Sequence, residues 1–240
     1  MNFSMSKLTE TMKVKESQSA SNLDSSDDEQ GEFDMSPLKV SWLDLSSLGC
    51  DEPVGICALP GCRFKDIWRS LENDISMHSG EILDLNIEKI NKNLKNKNME
   101  HTVPQCHSKG ELNKYRVPKL IGELQENDIT VHHTPFPDGL VPSTNELIKI
   151  IDDLHVVLMN RRKTIIHCYG GLGRSSFLAA ALMMKLDSSL EADKAIEIMR
   201  ELRGPAAVQS VKQYNCLHDL RQQIADHEAK MDESKRSLSR

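Results

Sequence analysis

The sequence has no hydrophobic segment long enough to cross a membrane, and its N-terminus lacks the charged-then-apolar pattern of a secretory signal peptide. Its six cysteines show no regular pairing, as is usual for proteins of a reducing compartment. We therefore expect an intracellular protein with no membrane partner. Its expected location is the cytoplasm, with the perinuclear region and the nucleus as alternatives.

Positively charged residues are outnumbered by negatively charged ones: 30 Lys and Arg residues against 36 Asp and Glu residues give a net charge of −6. This balance argues against a general nucleic-acid-binding protein, although it leaves room for a local basic patch. No metal site is expected, because no second cysteine pair joins Cys57 and Cys62 to complete a zinc-binding set. His132 and His133 are adjacent in a predicted strand and point to opposite faces, which disfavours joint metal binding. We expect one of these two histidines to be packed or hydrogen-bonded.

At 240 residues and 38% hydrophobic composition, the chain can form one core with tails. Residues 1–36 are polar and serine-rich, which predicts a disordered acidic arm. Its acids follow one another without an intervening base: Asp24, Asp27, Asp28, Glu29, Glu32 and Asp34. Ser25 and Ser26 precede acids in the manner of acid-directed kinase sites, with a plain solubilising tail as the alternative. One folded domain is predicted over residues 37–227, and a charged tail over 228–240.

Strand-like and helix-like patterns alternate within this domain. Strands are predicted at Leu38–Trp42, Pro53–Leu59, Asp128–His133 and Lys163–His167, and helices at Lys65–Ser76, 117–124, 143–160, Ser175–Asp187, 191–202 and from Ser210 past Leu220. This alternation predicts an α/β fold with a mostly parallel central sheet and helices on both faces.

The stretch His167–Ser175 joins a predicted buried strand to a predicted helix through a loop with three glycines. Amides at the start of that helix can point inward and bind an anion. Cys168 opens the loop and Arg174 closes it, so the thiol faces groups that favour its ionised form, and the guanidinium can grip two phosphate oxygens. The expected phosphate-binding residues are Tyr169, Gly170, Gly171, Leu172, Gly173, Arg174 and Ser175.

Two other interpretations of this loop remain open. A nucleotide-binding loop would end in Gly-Lys-Ser or Gly-Lys-Thr, whereas this loop ends in Gly173-Arg174-Ser175 and carries a thiol upstream. Cys168 could also be a structural residue in a strand-to-helix turn, because buried free cysteines are common.

The spacing Cys-x5-Arg followed by Ser resembles the signature of the cysteine-dependent protein tyrosine and dual-specificity phosphatases. Four segments together resemble one family within that superfamily, the cyclin-dependent kinase-associated dual-specificity phosphatases: Gly55–Asp66, Gly110–Pro118, His167–Ser175 and Lys212–Asn215. The resemblance covers most of residues 22–240 and implies a dual-specificity phosphatase-like fold.

This resemblance implies hydrolysis of phosphothreonine, and also of phosphotyrosine and phosphoserine, in the activation segment of a cyclin-dependent kinase. The reaction would pass through a thiophosphate on Cys168, with Arg174 and the loop amides holding the phosphoryl oxygens and Ser175 helping the sulfur to leave. No cofactor is implied, and we expect a monomer whose partner is that kinase. A second function, of a different class, is a catalytically weak module that binds phosphothreonine or the kinase without turnover.

The family also uses a general acid on a loop ahead of the catalytic strand. Asp138, in Phe136-Pro137-Asp138-Gly139, lies thirty positions before Cys168 and matches that acid. Pro-Asp-Gly is equally typical of a turn, so a purely structural role remains open. Asp152 and Asp153 suit the role less well, because both lie on the predicted helix 143–160.

Residues 76–108 depart from the family pattern as an atypical insert or replacement, since Asn91–Asn98 is too polar for a buried strand. Leu83, Leu85 and Ile87 alternate weakly, and Met99–Val103 is another weak strand candidate. The hypotheses are an alternative exon, a retained intron or a faulty gene model. If the segment is genuine, we expect the sheet to lack a strand beside the catalytic strand, with a loss of stability.

Overall fold

The computed structural model describes residues 33–76 and 101–238. In chain order the elements are β1 (Ser41–Leu43), a 3₁₀ turn (Ser46–Leu48), β2 (Val54–Cys57), β3 (Arg63–Phe64), β4 (Ile67–Trp68), α1 (71–76), β5 (His101–Gln105), α2 (Lys109–Lys114), α3 (Leu120–Glu126), β6 (Ile129–His133), α4 (Thr144–Met159), β7 (Thr164–His167), α5 (Arg174–Leu186), α6 (Ala192–Arg203) and α7 (Val211–Leu238). None of the helices in these two ranges is both long and apolar enough to span a membrane.

Five strands form one sheet in the order β1-β2-β7-β5-β6. The β1–β2 pair is antiparallel, whereas the β2–β7, β7–β5 and β5–β6 pairs are parallel. The predicted α/β class is confirmed, and the sheet is a small mixed one. β7 lies in its centre and is buried along its whole length, so the residues that follow β7 emerge in the middle of the sheet edge.

Two apolar cores lie against this sheet because successive strand residues point to opposite faces. Ile166 belongs to the core built with α4–α7, including Leu147 and Phe177. Its neighbour Ile165 belongs to the other core, which includes Leu120 and other apolar residues near α2 and α3. The continuous burial of β7 thus follows from helices packing on both faces.

The expectation that the sheet lacks a strand beside the catalytic strand is wrong. β5 occupies that place, with Gln105 opposite His167 on one side and His133 on the other. The weak candidate Met99–Val103 overlaps β5, and parallel neighbours on both sides supply backbone hydrogen bonds that need no apolar pattern. The alternation at 83–87 and the polar run at 91–98 lie outside the described residues, as do positions 1–32 of the predicted arm.

The predicted helix Lys65–Ser76 begins only at residue 71. Ahead of it, β3 and β4 form a short hairpin in which Arg63 pairs with Trp68, and Lys65 in its turn has a φ of +55°. The spacing of Trp68, Leu71 and Ile75 fits a helix, but a left-handed residue cannot continue one.

Three helix ends also differ from the sequence expectation. α3 begins at Leu120 rather than near Pro118. The sequence Ser188-Ser189-Leu190-Glu191 predicts a serine cap for α6, whereas Glu191 stands at its N-cap without a side-chain cap bond. α7 continues to Leu238, through most of the predicted charged tail.

Candidate active site

The loop between β7 and α5 forms the centre of the candidate site. Cys168 follows β7 directly and is 3% exposed, and Arg174 is the first residue of α5 and fully buried. The Ser175 Oγ lies 3.2 Å from the Cys168 Sγ. The structure therefore brings together the thiol, guanidinium and hydroxyl that the sequence spacing predicted, at the carboxyl end of a central strand.

Four successive carbonyl groups of this loop accept hydrogen bonds from residues outside it. The pairs are Tyr169 with the Leu59 amide (3.1 Å), Gly170 with Arg203 Nη2 (3.2 Å), Gly171 with Arg203 Nε (3.0 Å) and Leu172 with the Val208 amide (2.9 Å). Because these carbonyls are engaged from outside, the loop is held in a curled shape whose amides can face the inside, as in anion-binding nests. This geometry fits the predicted phosphate cradle.

Arg203 ties this loop to the rest of the fold. Its Nη1 donates to the Ser41 Oγ in β1 at 3.0 Å, while Nε and Nη2 hold two loop carbonyls. Sequence reasoning missed this residue. Arg203 stands in a charged helix end, where a cation is expected for the helix dipole alone, so nothing local distinguishes its contact with the loop.

Gly171 is the loop position with least tolerance for a side chain. It has a φ of +69°, and a Cβ there would lie 2.7 Å from the Cys57 carbonyl oxygen. The left-handed conformation alone should cost an alanine at position 171 ~1–2 kcal/mol. We expect Gly171→Ala to lower the free energy of unfolding by more than this, because the clashing carbonyl belongs to the Cys57 backbone and cannot move aside as a side chain could. Gly170→Ala is the matched control, because a Cβ there meets only Leu172 at 3.9 Å. Denaturant unfolding of both variants checks this, and equal destabilisation would contradict it.

The Arg174 guanidinium is fixed from one side. Its Nη1 donates to the carbonyl oxygens of Cys106 and Phe136, both at 3.1 Å, and lies 2.9 Å from a Glu111 carboxylate oxygen. Nε and Nη2 make no hydrogen bond within the described ranges. One nitrogen therefore carries the anchoring contacts, and the other two have the fork geometry that grips two oxygens of an anion.

Glu111 is a second site residue that sequence reasoning missed. Its carboxylate accepts from the Ser108 amide at 3.0 Å, and the Ser108 Oγ accepts from the Glu111 amide, so the pair forms a capping box on α2. The Ser-x-x-Glu pattern predicts the cap. The pairing with Arg174, 63 positions away, depends on the fold and has no local signal.

Asp138 lies at the edge of this site. Its carboxylate is 58% exposed, and its Oδ1 is 3.4 Å from the Arg174 Nε. Asp138 also lies in a turn, as the Pro-Asp-Gly sequence indicates, since the Leu140 amide donates to the Pro137 carbonyl oxygen and Gly139 has a φ of +71°. Asp152, on α4, instead forms an ion pair with Lys185 on α5 at 3.1 Å. Of the three aspartates considered from sequence, Asp138 has the contact with Arg174.

His107 is a buried imidazole beside the site. Its ring lies 5.9 Å from the His167 ring in a stacked arrangement and meets Tyr115 edge-on. Its ring nitrogens have no hydrogen-bond partner among the residues described. Burial, followed by the nearby charges of His167 and Arg174, lowers the pKa of His107 from 6.5 to about 2, so the ring is neutral at working pH.

This neutral ring should make stability depend on pH. The unfolded chain binds a proton at His107 near pH 6.5 and the folded chain does not, so the folded state loses stability as pH falls below 6.5. Because of His107, we expect the free energy of unfolding to fall by about 2 kcal/mol between pH 7 and pH 5. His107→Phe keeps a stacked ring without a titrating group. Urea unfolding at both pH values should show a smaller loss in the variant, and equal losses would contradict the assignment.

Four of the other cysteines have raised pKa values, which make them poor nucleophiles. Burial raises the pKa of Cys62 and of Cys216 to about 11, and it also raises the pKa of Cys50 and of Cys106. These four thiols therefore stay protonated near neutral pH, and a protonated thiol is a poor nucleophile.

We expect iodoacetate at pH 6.5 to carboxymethylate Cys168 ahead of those four cysteines. Phosphate or vanadate should slow the reaction by occupying the loop. Peptide mass mapping over time measures both effects. Labelling of Cys62 or Cys216 at the rate of Cys168, or labelling unaffected by phosphate, would contradict this prediction.

One of the two adjacent histidines has a hydrogen-bond partner. His133 Nε2 lies 2.7 Å from the His107 carbonyl oxygen, which confirms that one of the pair is hydrogen-bonded. Within the described part of the chain, no group of three or more His, Cys, Asp or Glu residues is placed to hold a metal ion.

Residues 12–196 match the model of the family described as "Cyclin-dependent kinase inhibitor 3 (CDKN3)". The relatives of that name from Homo sapiens and Rattus norvegicus are each 41% identical, over 95% and 92% of this chain and 100% and 96% of their own. A crystal structure of kinase associated phosphatase, with its catalytic-site cysteine substituted by serine, is similar with a TM-score of 0.70 and 38% identity, over 80% of this chain and 98% of that one.

Proposed function

The chain belongs to the cyclin-dependent kinase inhibitor 3 family, and on that premise we propose that it is a cysteine-dependent protein phosphatase acting on phosphothreonine, phosphotyrosine and phosphoserine. Its proposed substrate is the phosphorylated activation segment of a cyclin-dependent kinase. The relatives' name refers to such kinases, and the crystallised relative is called kinase associated phosphatase. A monomer working in the cytoplasm, the perinuclear region or the nucleus stays a prediction.

One observation carries the proposal: a buried thiol and a buried guanidinium lie at the two ends of one curled loop, and the guanidinium donates to backbone carbonyls through Nη1 alone. A structural cysteine would not need this arrangement. The loop interior, Tyr169–Gly173, carries no Lys or Arg, which favours a substrate with one phosphoryl group over inositol phosphates or RNA triphosphate ends.

In the proposed first step, the Cys168 sulfur attacks phosphorus in line with the threonine oxygen. An S–P bond forms, the P–O bond to threonine breaks, and Asp138 gives its proton to the departing oxygen. Arg174 Nε and Nη2, with the loop amides, hold the three equatorial oxygens as charge develops on them. Glu111 acts through Arg174 by keeping the guanidinium in this orientation.

In the proposed second step, water attacks the thiophosphate. The Asp138 carboxylate takes a proton from that water, the S–P bond breaks, and inorganic phosphate forms. The Ser175 hydroxyl, 3.2 Å from the Cys168 sulfur, can donate to the leaving thiolate and stabilise it. No metal ion takes part in this scheme, so chelation should leave the rate unchanged.

A catalytically weak binding module is the second candidate function. The test is phosphate release from p-nitrophenyl phosphate and from a phosphothreonine peptide by the purified full-length protein, with EDTA present and Cys168→Ser as background. Release above that background supports the enzyme. Release at the level of Cys168→Ser, together with retained binding of the phosphopeptide, would overturn the enzyme and favour the module.

A further inference from the structure

A group of aromatic rings lies beside the active-site loop. Tyr169, the residue after Cys168, stacks on Tyr115 with ring centres 4.7 Å apart, and Phe64 meets both rings edge-on at 6.1 and 5.4 Å. A second pair involves the β3–β4 hairpin: the ring of Trp68 in β4 lies 6.5 Å from the ring of Phe33, which comes from the segment ahead of β1. The ring of Tyr169 connects this group directly to the loop that holds the thiol.

Four cations cover these rings. Lys65 and Lys114 lie over Phe64 at 5.6 and 5.2 Å. Arg63 lies over Phe33 at 4.8 Å, and Arg116 lies over Trp68 at 5.6 Å. Cation–π contacts restrict the motion of the charged groups. A ligand that binds these groups therefore loses less side-chain conformational entropy in ordering them. We call the four cations and five rings the basic aromatic surface.

Nearby carboxylates leave most of this positive charge uncompensated. Glu111 is engaged by Arg174, and Asp34 is engaged by Arg69 at 2.9 Å. Asp74 also pairs with Arg69, at 2.7 Å. Asp66 in the hairpin turn is a further, exposed acid of this region. Lys65, Lys114 and Arg116 are exposed, in a chain whose net charge is −6.

We propose that the basic aromatic surface binds carboxylate side chains that flank the phosphorylated residue of a protein substrate. The inference rests on the proposed phosphatase function and adds its substrate preference. A phosphorylated residue inserted at Cys168 would bring its neighbours in sequence close to Tyr169, whose ring packs on the buried ring of Tyr115. Acidic neighbours on that side meet pre-positioned cations, and opposite charges raise the rate of encounter and lower the rate of escape.

The experiment compares kcat/KM for three phosphothreonine peptides that carry glutamate, glutamine or lysine at the flanking positions. We expect the glutamate peptide to exceed the glutamine peptide by about tenfold at low salt, and the lysine peptide to be worse than both. The difference should shrink as ionic strength rises to 0.5 M, because salt screens exposed charges. Equal values for the three peptides would overturn the proposal.

The test variant is Lys114→Glu with Arg116→Glu, and the charge-matched control is Lys230→Glu with Lys235→Glu on the exposed part of α7. The test variant should lose the glutamate preference, and the control should keep it. Hydrolysis of p-nitrophenyl phosphate, which has no flanking residues, reports the catalytic centre separately. Failure of the wild type on this ester defeats the phosphatase function, whereas turnover without a glutamate preference defeats only the present proposal.

The chain's own acidic residues ahead of Phe33 are the alternative ligand that the test has to exclude. The same comparison is therefore made in a background with Asp24→Asn, Asp27→Asn and Asp28→Asn. If the surface binds substrate, the effect of Lys114→Glu with Arg116→Glu persists in that background. If the effect vanishes there, the surface serves the chain's own acidic segment, and the proposal is overturned.

Discussion

Replacing Cys168 with serine is expected to lower phosphate release by at least ~10⁴-fold, because a serine hydroxyl is a much weaker nucleophile than a cysteine sulfur. The neighbouring contacts do not depend on the sulfur. Arg174 is held by Cys106, Phe136 and Glu111, and the loop carbonyls are held from outside. Binding of a phosphorylated ligand should therefore survive the substitution while turnover does not.

This separation turns Cys168→Ser into a trap for the natural substrate. Purification of the variant from cells should retain a phosphoprotein that wild-type protein releases, and mass spectrometry of the retained material identifies it. The variant purified in the presence of vanadate is the control, since an occupied loop should release the same partner. Recovery of phospholipid, or turnover by the variant at the wild-type rate, would contradict the assignment of Cys168.

Replacing Asp138 with asparagine is the second large effect, an expected loss of roughly 10² to 10⁴ in kcat toward phosphothreonine. The amide keeps the size of the carboxylate at the Arg174 edge but cannot deliver a proton to the departing oxygen. The loss should be much smaller for p-nitrophenyl phosphate, because nitrophenolate is a good leaving group that needs little protonation. Steady-state rates on the two substrates measure the difference.

Asp153→Asn is the matched control for this prediction. Asp153 is an exposed carboxylate on α4 and was one of the alternatives for the acid. Its variant should retain wild-type kcat on both substrates. A loss of equal size in Asp153→Asn, or an Asp138→Asn variant that loses the same factor on both substrates, would contradict the acid role of Asp138.

Sequence reasoning succeeded where the signal is local. The pattern Ser143-Thr144-Asn145-Glu146 predicts a capping box, and that box begins α4. The glycine-rich stretch after β7 forms the predicted loop. It failed at β5, whose place depends on two parallel partners distant in sequence. It also failed at β3 and β4, where helical spacing of Trp68, Leu71 and Ile75 gave no sign of the turn at Lys65.

The site was predicted in the same uneven way. Cys168, Arg174 and Ser175 are close in sequence, so their spacing alone was enough to predict that they lie together. Glu111 and Arg203 reach the loop from other elements, and each carries a sufficient local explanation, as a helix cap and as a helix-end cation. A residue that contacts the site only through long-range packing has no local sequence pattern that would identify it.

Arg203 has one further consequence. Its three nitrogens join the end of α6, two loop carbonyls and β1, so the loop takes its shape during folding and before any anion arrives. Pre-organisation of this kind removes the entropic penalty of ordering a flexible segment around a ligand. Inorganic phosphate should then associate in a single fast phase, with no slow conformational step preceding or following the encounter.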